Sequence, residues 1–213
     1  MKQLSEGLLI CIEGIDGSGK SSFSKSLSEE LIRQGYQTIL TREPGGTPLG
    51  ERVRDILFDG KTPPTPKAEF LLFAASRAQH CEEHIKPALA AGTIVLSDRM
   101  ADSSLVYQGY IRNLSLDTIK SINSWAMDTI QPTVIFYLHI NPTTAFERIK
   151  ARNIQGAAFE ENLTYLQRAL HGFEKLVAHR PEVIVLDAHQ PADIVYKEGL
   201  KALQSYIPGL KIP

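Results

Sequence analysis

Residues 8–22 read LLICIEGIDGSGKSS, and the rest of the chain takes its meaning from them. The apolar run at the start is too short to be anything but a buried strand or a turn of buried helix. It breaks into Gly14, Gly17 and Gly19 with Lys20 and Ser21 following, the phosphate-cradling pattern G-x-x-x-x-G-K-[ST] residue for residue. Glycines let the backbone wrap an anion with its N–H groups turned inward, and the helix that follows offers its positive end to the same charge. Gly14, Ile15, Asp16, Gly17, Ser18, Gly19, Lys20, Ser21 and Ser22 are therefore the candidate polyphosphate cradle. In that reading Lys20 reaches the outer phosphates and the Ser21 hydroxyl ligates magnesium. Asp16 is out of place in a loop built for anions, so its carboxylate should turn away from the phosphates, toward a hydroxyl of a second substrate.

The 213 residues, 43% of them hydrophobic, suffice to bury a full core in one domain with at most a small lid. The formal net charge is −1 and the two signs are interspersed, so no polybasic arm points to nucleic acid or a membrane surface. Cys11 lies in the first apolar run and Cys81 in a helical pattern, which fits reduced thiols better than a disulfide framework. No apolar stretch approaches the roughly 18 residues of a membrane span. Glu13 cuts the first apolar run before any cleavage-like site. The expectation is a soluble cytoplasmic protein.

Beyond the loop, Phe23, Leu27, Leu31 and Ile32 recur at the spacing of a one-faced helix that Gly35 stops. Strands are expected at 37–41, 93–97, 133–140 and 183–186. Helices are expected at 48–58, 67 to about 91, 116–127, from Pro142, at 159–178 and after Pro191. Residues 153–158 carry little pattern and read as a mobile loop. Because the strands are continuous apolar runs that alternate with helices, the sequence predicts an α/β fold whose parallel sheet is covered on both faces.

Ligands of such a sheet bind beyond the carboxyl ends of its strands. The residues expected there are the phosphate loop, Arg42 with Glu43, Asp98 with Arg99, His139 with Asn141, and Asp187. An acid at a strand end is the usual magnesium partner of a phosphate loop, which singles out Asp98. On the long helix Phe70, Phe73 and Arg77 share a stripe, so that a ring and a guanidinium project together. Ser103 pairs with Tyr107 and Ser104 with Gln108 at helical spacing; Arg148 and Arg152 do the same further on.

Taken together, EGIDGSGKSS, TREPGG at 41–46, FAASRAQH at 73–80, SDRM at 97–100 and SSLVYQG at 103–109 resemble bacterial thymidylate kinase, in order and over nearly the whole chain. The resemblance implies a three-layer α/β/α P-loop kinase fold with a mainly parallel five-stranded sheet and a small mobile lid near residues 150–160. It implies transfer of the γ-phosphoryl of ATP to dTMP with Mg2+, and a homodimer. By the same resemblance Phe73 stacks on thymine and Arg77 donates to a base carbonyl. Ser104 and Gln108 lie near the base, and Tyr107 stands against the 2′ position. Arg42 and Arg99 grip the acceptor phosphate, with Glu43 beside them, and Asp16 meets the 3′-hydroxyl. Arg148 packs over adenine. Two arginines suit a phosphate as forked donors.

Since the acceptor phosphate is already ionised at neutral pH, alignment and charge neutralisation are the expected sources of rate. Relatives whose phosphate loop has no arginine after the acid, as here with Gly17, usually supply one from the lid, yet the aligned lid position reads Gly156, Ala157, Ala158. Arg152 is then the candidate for transition-state charge, alongside Lys20, Asp98 and Arg99. His139 stands where relatives commonly carry an acid. Rival readings are another nucleoside or nucleoside monophosphate kinase and a catalytically crippled nucleotide-binding regulator. A GTP-dependent switch would need an N-K-x-D element, which the sequence lacks.

Overall fold

The strands form where the apolar runs lie: β1 (Leu8–Glu13), β2 (Thr38–Arg42), β3 (Ile94–Asp98), β4 (Val134–His139) and β5 (Val183–Asp187). They make one sheet in the order β2-β3-β1-β4-β5 with every pairing parallel. The computed structural model describes residues 2–151, 163–178 and 180–212. Parallel neighbours need crossovers, which the helices provide. These are α1 (Lys20–Arg33), α2 (Pro48–Phe58), α3 (Pro66–His80), α4 (Lys86–Ala90), α5 (Ala101–Ser104), α6 (Leu116–Met127), α7 (Pro142–Ala151), α8 (Leu163–Val177) and α9 (Ala192–Leu203).

The alternation of side chains along each strand divides the core between the two faces of the sheet. Ile10, Ile12, Ile94, Leu96, Val134, Phe136 and Leu138 pack with Phe23, Leu27 and Leu31 of α1, Phe173 of α8 and Leu200 of α9. Leu9, Cys11, Val95 and Ile135 turn the other way, onto Cys81, Ile85, Ala88 and Met127. Both cysteines are free and buried. Local chemistry sets the helix starts: the Thr47 hydroxyl accepts from Gly50 N at 2.9 Å with Pro48 behind it, and Ser115 does the same for Thr118 N at 3.3 Å.

Two expectations change. The long helix from 67 to 91 is helical throughout, but a π turn at Cys81–Ile85 separates α3 from α4. The segment carrying Ser103 to Gln108 is α-helical only to Ser104 and then π-helical over Leu105–Ile111, where Arg112 N bonds Tyr107 O at 3.0 Å. The wider turn defeats the i,i+4 pairing of Ser104 with Gln108, and π segments of this kind gather at functional sites. The helix expected at 159–178 is described from Leu163 to Val177.

The connection leaving β1 runs to β2 on one side of the sheet, and the connection leaving its neighbour β3 runs to β4 on the other side. The loop after β1 thus opens at the switch point, where α/β sheets bind ligands.

Candidate active site

The glycine-rich loop leaves β1 with Gly14, Gly17 and Gly19 at φ of 144°, 79° and 96°, a region that side chains rarely enter. Lys20 opens α1 with its ammonium buried; it donates to Ile15 O at 2.8 Å and lies 3.8 Å from Asp16 Oδ1. Burial, and then the neighbouring Arg99, pull its pKa below the usual lysine range. Next along the helix, Ser21 Oγ donates to Asp98 Oδ2 at 2.6 Å, so the loop hydroxyl and the β3 carboxylate meet as the sequence suggests. Both are hard oxygen donors of the kind Mg2+ takes, beside a phosphate cradle, and the pair fits that ion. Ile15 is core, Ser22 is exposed, and the buried Ser18 hydroxyl has no partner among the described residues.

Asp16 does turn from the cradle. Its Oδ1 forms an ion pair with Arg99 Nη2, and its Oδ2 accepts from the Tyr107 hydroxyl at 3.1 Å. Burial pushes the Asp16 carboxyl up, but Arg99, Lys20 and Tyr107 outweigh it and hold it below the usual range. Arg99 sits at φ 71° directly after β3, and its guanidinium also donates to Gly14 O at 3.2 Å and Ser103 Oγ at 3.0 Å. It lies 5.0 Å from the centroid of the Tyr107 ring, which stacks on Tyr165 in turn. Arg42 ends the adjacent strand opposite Asp98 and is exposed, paired with Glu51 at 2.8 Å. The two arginines therefore flank one strand end.

A third group lies deeper. Arg77 is 1% exposed, with Nε on Glu43 Oε2 at 2.8 Å, Nη1 on Asn123 Oδ1 at 2.5 Å, and Nη2 on Met100 O at 3.1 Å and Ser104 Oγ at 3.2 Å. These bonds use four of the five guanidinium hydrogens. Glu43 Oε1 also faces His80 Nδ1 at 3.1 Å. Burial raises the Glu43 carboxyl, yet Arg77 and His80 together bring it below its ordinary value. Phe73 is half-buried on the same helix, whereas Phe70 belongs to the core with Ala74, Leu105 and Ile119. Gln108 turns from Ser104 and donates instead to Glu69 Oε1 at 2.8 Å, which Arg112 also binds.

Sequence reasoning passed over Glu13, Asn123 and Glu69. Glu13 is buried; its Oε1 accepts from Met100 N at 2.8 Å and its Oε2 from Ser103 Oγ at 2.6 Å. Burial, with Asp102 nearby, raises its pKa to about 7 despite Arg99. The signal was available: an acid in an otherwise apolar strand needs buried partners. Asn123 and Glu69 carry no local signal, because each acts on a residue brought from elsewhere in the chain.

A family model for thymidylate kinase matches residues 12–198. The chain is 42% identical to a thymidylate kinase of Halothermothrix orenii over 195 residues, covering 90% of this chain and 94% of that one. It is 41% identical to that of Bacillus pumilus over 204 residues, 93% and 95% of the two chains. The crystal structure of thymidylate kinase from Ehrlichia chaffeensis superposes with a TM-score of 0.78 at 30% identity, covering 93% of this chain and all of that one. The chain belongs to the thymidylate kinase family. Enzymes of this family phosphorylate dTMP to dTDP with ATP as donor, and the all-parallel, helix-covered sheet is their P-loop fold.

Within the thymidylate kinase fold, Gly17 now has a physical reason. A Cβ there would stand 2.4 Å from Ala145 O in the first turns of α7, so no side chain fits without moving that helix. Arg148 is half-buried on α7, while Arg152, and with it residues 152–160 of the expected lid, lies outside the described residues. His139 contacts Glu174 at 3.5 Å, and Asp187 holds His189, whose Nε2 accepts from Asn141 N at 3.0 Å. Those contacts close the loop after β5 onto the start of α7. No helix among the described residues is long and apolar enough to cross a membrane.

Proposed function

We propose that this chain phosphorylates dTMP with the residues gathered at the carboxyl ends of β1, β2 and β3, as one catalytic domain whose lid is the segment at 150–160. The reading is carried by one observation: Asp16, inside the phosphate loop, pairs with Arg99 and accepts from Tyr107, both of which come from outside the loop, in addition to its contact with Lys20. A second substrate bearing both a hydroxyl and a phosphate finds its partners there, at the donor's edge. The loop N–H groups and Lys20 bind the outer phosphates of ATP, and Arg148 covers the adenine. Arg99, with Arg42 across the strand end, takes the acceptor phosphate as a forked donor. Asp16 accepts from the sugar hydroxyl and Tyr107 crowds the 2′ position. Phe73 offers its ring to the base, and the remaining Nη1 hydrogen of Arg77 meets a base carbonyl. Ser104 and Gln108 act as wall rather than as independent readers.

Ser21 and Asp98 would hold magnesium, which supplies charge neutralisation between the phosphates when bound. The acceptor oxygen needs no base, so the chain's own contribution is to align two anions and screen them with Lys20, Arg99 and Arg152. The free, buried cysteines support a reducing, cytoplasmic setting. Exposed Ile56 and Phe58 on α2, Leu71 on α3 and Trp125 on α6 support a homodimer.

The test is a coupled assay comparing dTMP, thymidine, dUMP, dCMP and AMP as acceptors with MgATP. Turnover should be greatest with dTMP and absent with thymidine, which brings no phosphate to Arg99. Preference for thymidine would make the chain a nucleoside kinase, and no turnover with any acceptor would make it a nucleotide-binding regulator.

A further inference from the structure

We infer that Glu13 is a positioning residue of the acceptor site, which acts through Ser103 to set the direction of the Arg99 guanidinium. The inference rests on the reading of Arg99 as the phosphate-gripping arginine. Glu13 touches neither substrate in that reading. It ends β1, one residue before the phosphate loop, and its carboxylate faces the turn that follows β3. That turn is demanding: Arg99 stands at φ 71°, a left-handed conformation that is strained for a residue with a side chain. It persists because it is tied on both sides. Arg99 N donates to Ile12 O at 3.0 Å, and Ser97 Oγ donates to Arg99 O at 2.7 Å.

Glu13 supplies the third tie. Its Oε1 accepts from Met100 N at 2.8 Å and Ser103 N at 3.4 Å, so one oxygen gathers the start of α5. Its Oε2 accepts from the Ser103 hydroxyl at 2.6 Å. A serine hydroxyl has a single hydrogen, so this bond directs the Ser103 lone pairs outward. They accept from Arg99 Nη1 at 3.0 Å, and the same Nη1 also donates to Gly14 O at 3.2 Å. The relay therefore has one polarity: Arg99 gives to Ser103, and Ser103 gives to Glu13. With Nη1 anchored at two points, Nη2 reaches Asp16 beside the sugar site. Asp102 and Arg99 are the charged groups facing Glu13 from the β3 side, and Cys11 and Lys20 face it from β1 and the start of α1.

Glu13→Gln keeps the shape and breaks the polarity. An amide NH2 in place of Oε2 donates to Ser103, and the serine hydrogen loses its acceptor; in the other orientation the NH2 opposes two backbone N–H groups. The experiment is calorimetric titration of the full chain at pH 8 with dTMP and with thymidine, which differ only in the phosphate. Glu13→Gln and Ser103→Ala should each weaken dTMP roughly tenfold and leave thymidine within about twofold, and the double variant should be no worse than either single one. Arg99→Ala serves as the reference. If it too spares thymidine and weakens dTMP while Glu13→Gln and Ser103→Ala weaken both ligands equally, or neither, the relay is refuted and the Arg99 reading stands. If Arg99→Ala fails to distinguish the ligands, the reading and the relay fall together. Should Glu13→Gln not fold, Ser103→Ala decides alone.

Discussion

Replacing Glu43 by glutamine should cost far more than the loss of one surface ion pair. Glu43 and Arg77 are 3% and 1% exposed at the side chain and 2.8 Å apart, and no other carboxylate hydrogen-bonds that guanidinium among the described residues. Glutamine can still accept one hydrogen bond, and His80 can adapt by changing tautomer against Thr41 Oγ1 at 2.8 Å. What it cannot supply is the counter-charge, and removing one partner of a buried pair costs about 3–5 kcal/mol. An exposed pair such as Lys25–Glu29, 72% and 66% exposed at the side chain, is worth about 0–1 kcal/mol. In a chain of this length about 2–4 °C is lost per kcal/mol, so the thermal midpoint should fall by roughly 6–20 °C. Circular dichroism melts of wild type, Glu43→Gln and Glu43→Gln with Arg77→Met test this, and the double variant should recover part of the loss because no unpaired charge remains buried. The pH dependence has a definite sign. Since Glu43 is held below its ordinary 4.5, its contribution is present above pH 4.5 and is lost as the pH falls through the folded value. A cost under about 1 kcal/mol for Glu43→Gln at pH 7 would refute the account of Arg77 as a charge anchored in the core.

Gly17→Ala should abolish turnover and lower stability by about 1–3 kcal/mol, since its Cβ meets Ala145 O at 2.4 Å and φ is 79°; kinetics and urea unfolding check it. Glu13, raised from 4.5 to about 7, keeps a proton in the folded state that the unfolded chain has lost across that window. Wild-type stability relative to Glu13→Gln should therefore fall by about 3 kcal/mol as pH rises from 4.5 to 7, at about 1.4 kcal/mol per pH unit of separation; urea unfolding at pH 5 and 8 reads it. Arg152→Ala should lower kcat far more than it raises the KM for dTMP, and a kcat near wild type would remove Arg152 from the transition state.

The parts of the site legible in the sequence are those whose chemistry is local. The cradle from Gly14 to Ser22, and Asp98 at the end of an apolar strand, follow from spacing alone, and the bond between Ser21 and Asp98 joins them. Arg77 was recognisable as a guanidinium projecting beside a ring, but not its burial nor its partners Asn123 and Met100, which lie 46 and 23 residues away. The pairing of Gln108 with Ser104 gives way to one with Glu69 where the backbone takes a π turn, and no residue pattern announces that change.

The sequence by itself determined the class of the fold and the kind of ligand, because strand-forming apolar runs and a glycine-rich cradle are periodic or contiguous features that carry their physics within a few residues. Only the tertiary structure decided the partners of the charges. The outward turn of Asp16 follows from its place in the loop, but Arg99 and Tyr107, which hold it, arrive from 83 and 91 residues further along. Glu13 becomes an anchor because β1 and β3 lie side by side in register, Ile12 against Asp98. Gly17 is glycine because the start of α7 packs onto it. In each case the deciding force is electrostatic or steric and acts over a few ångströms between segments that only the folded sheet brings together.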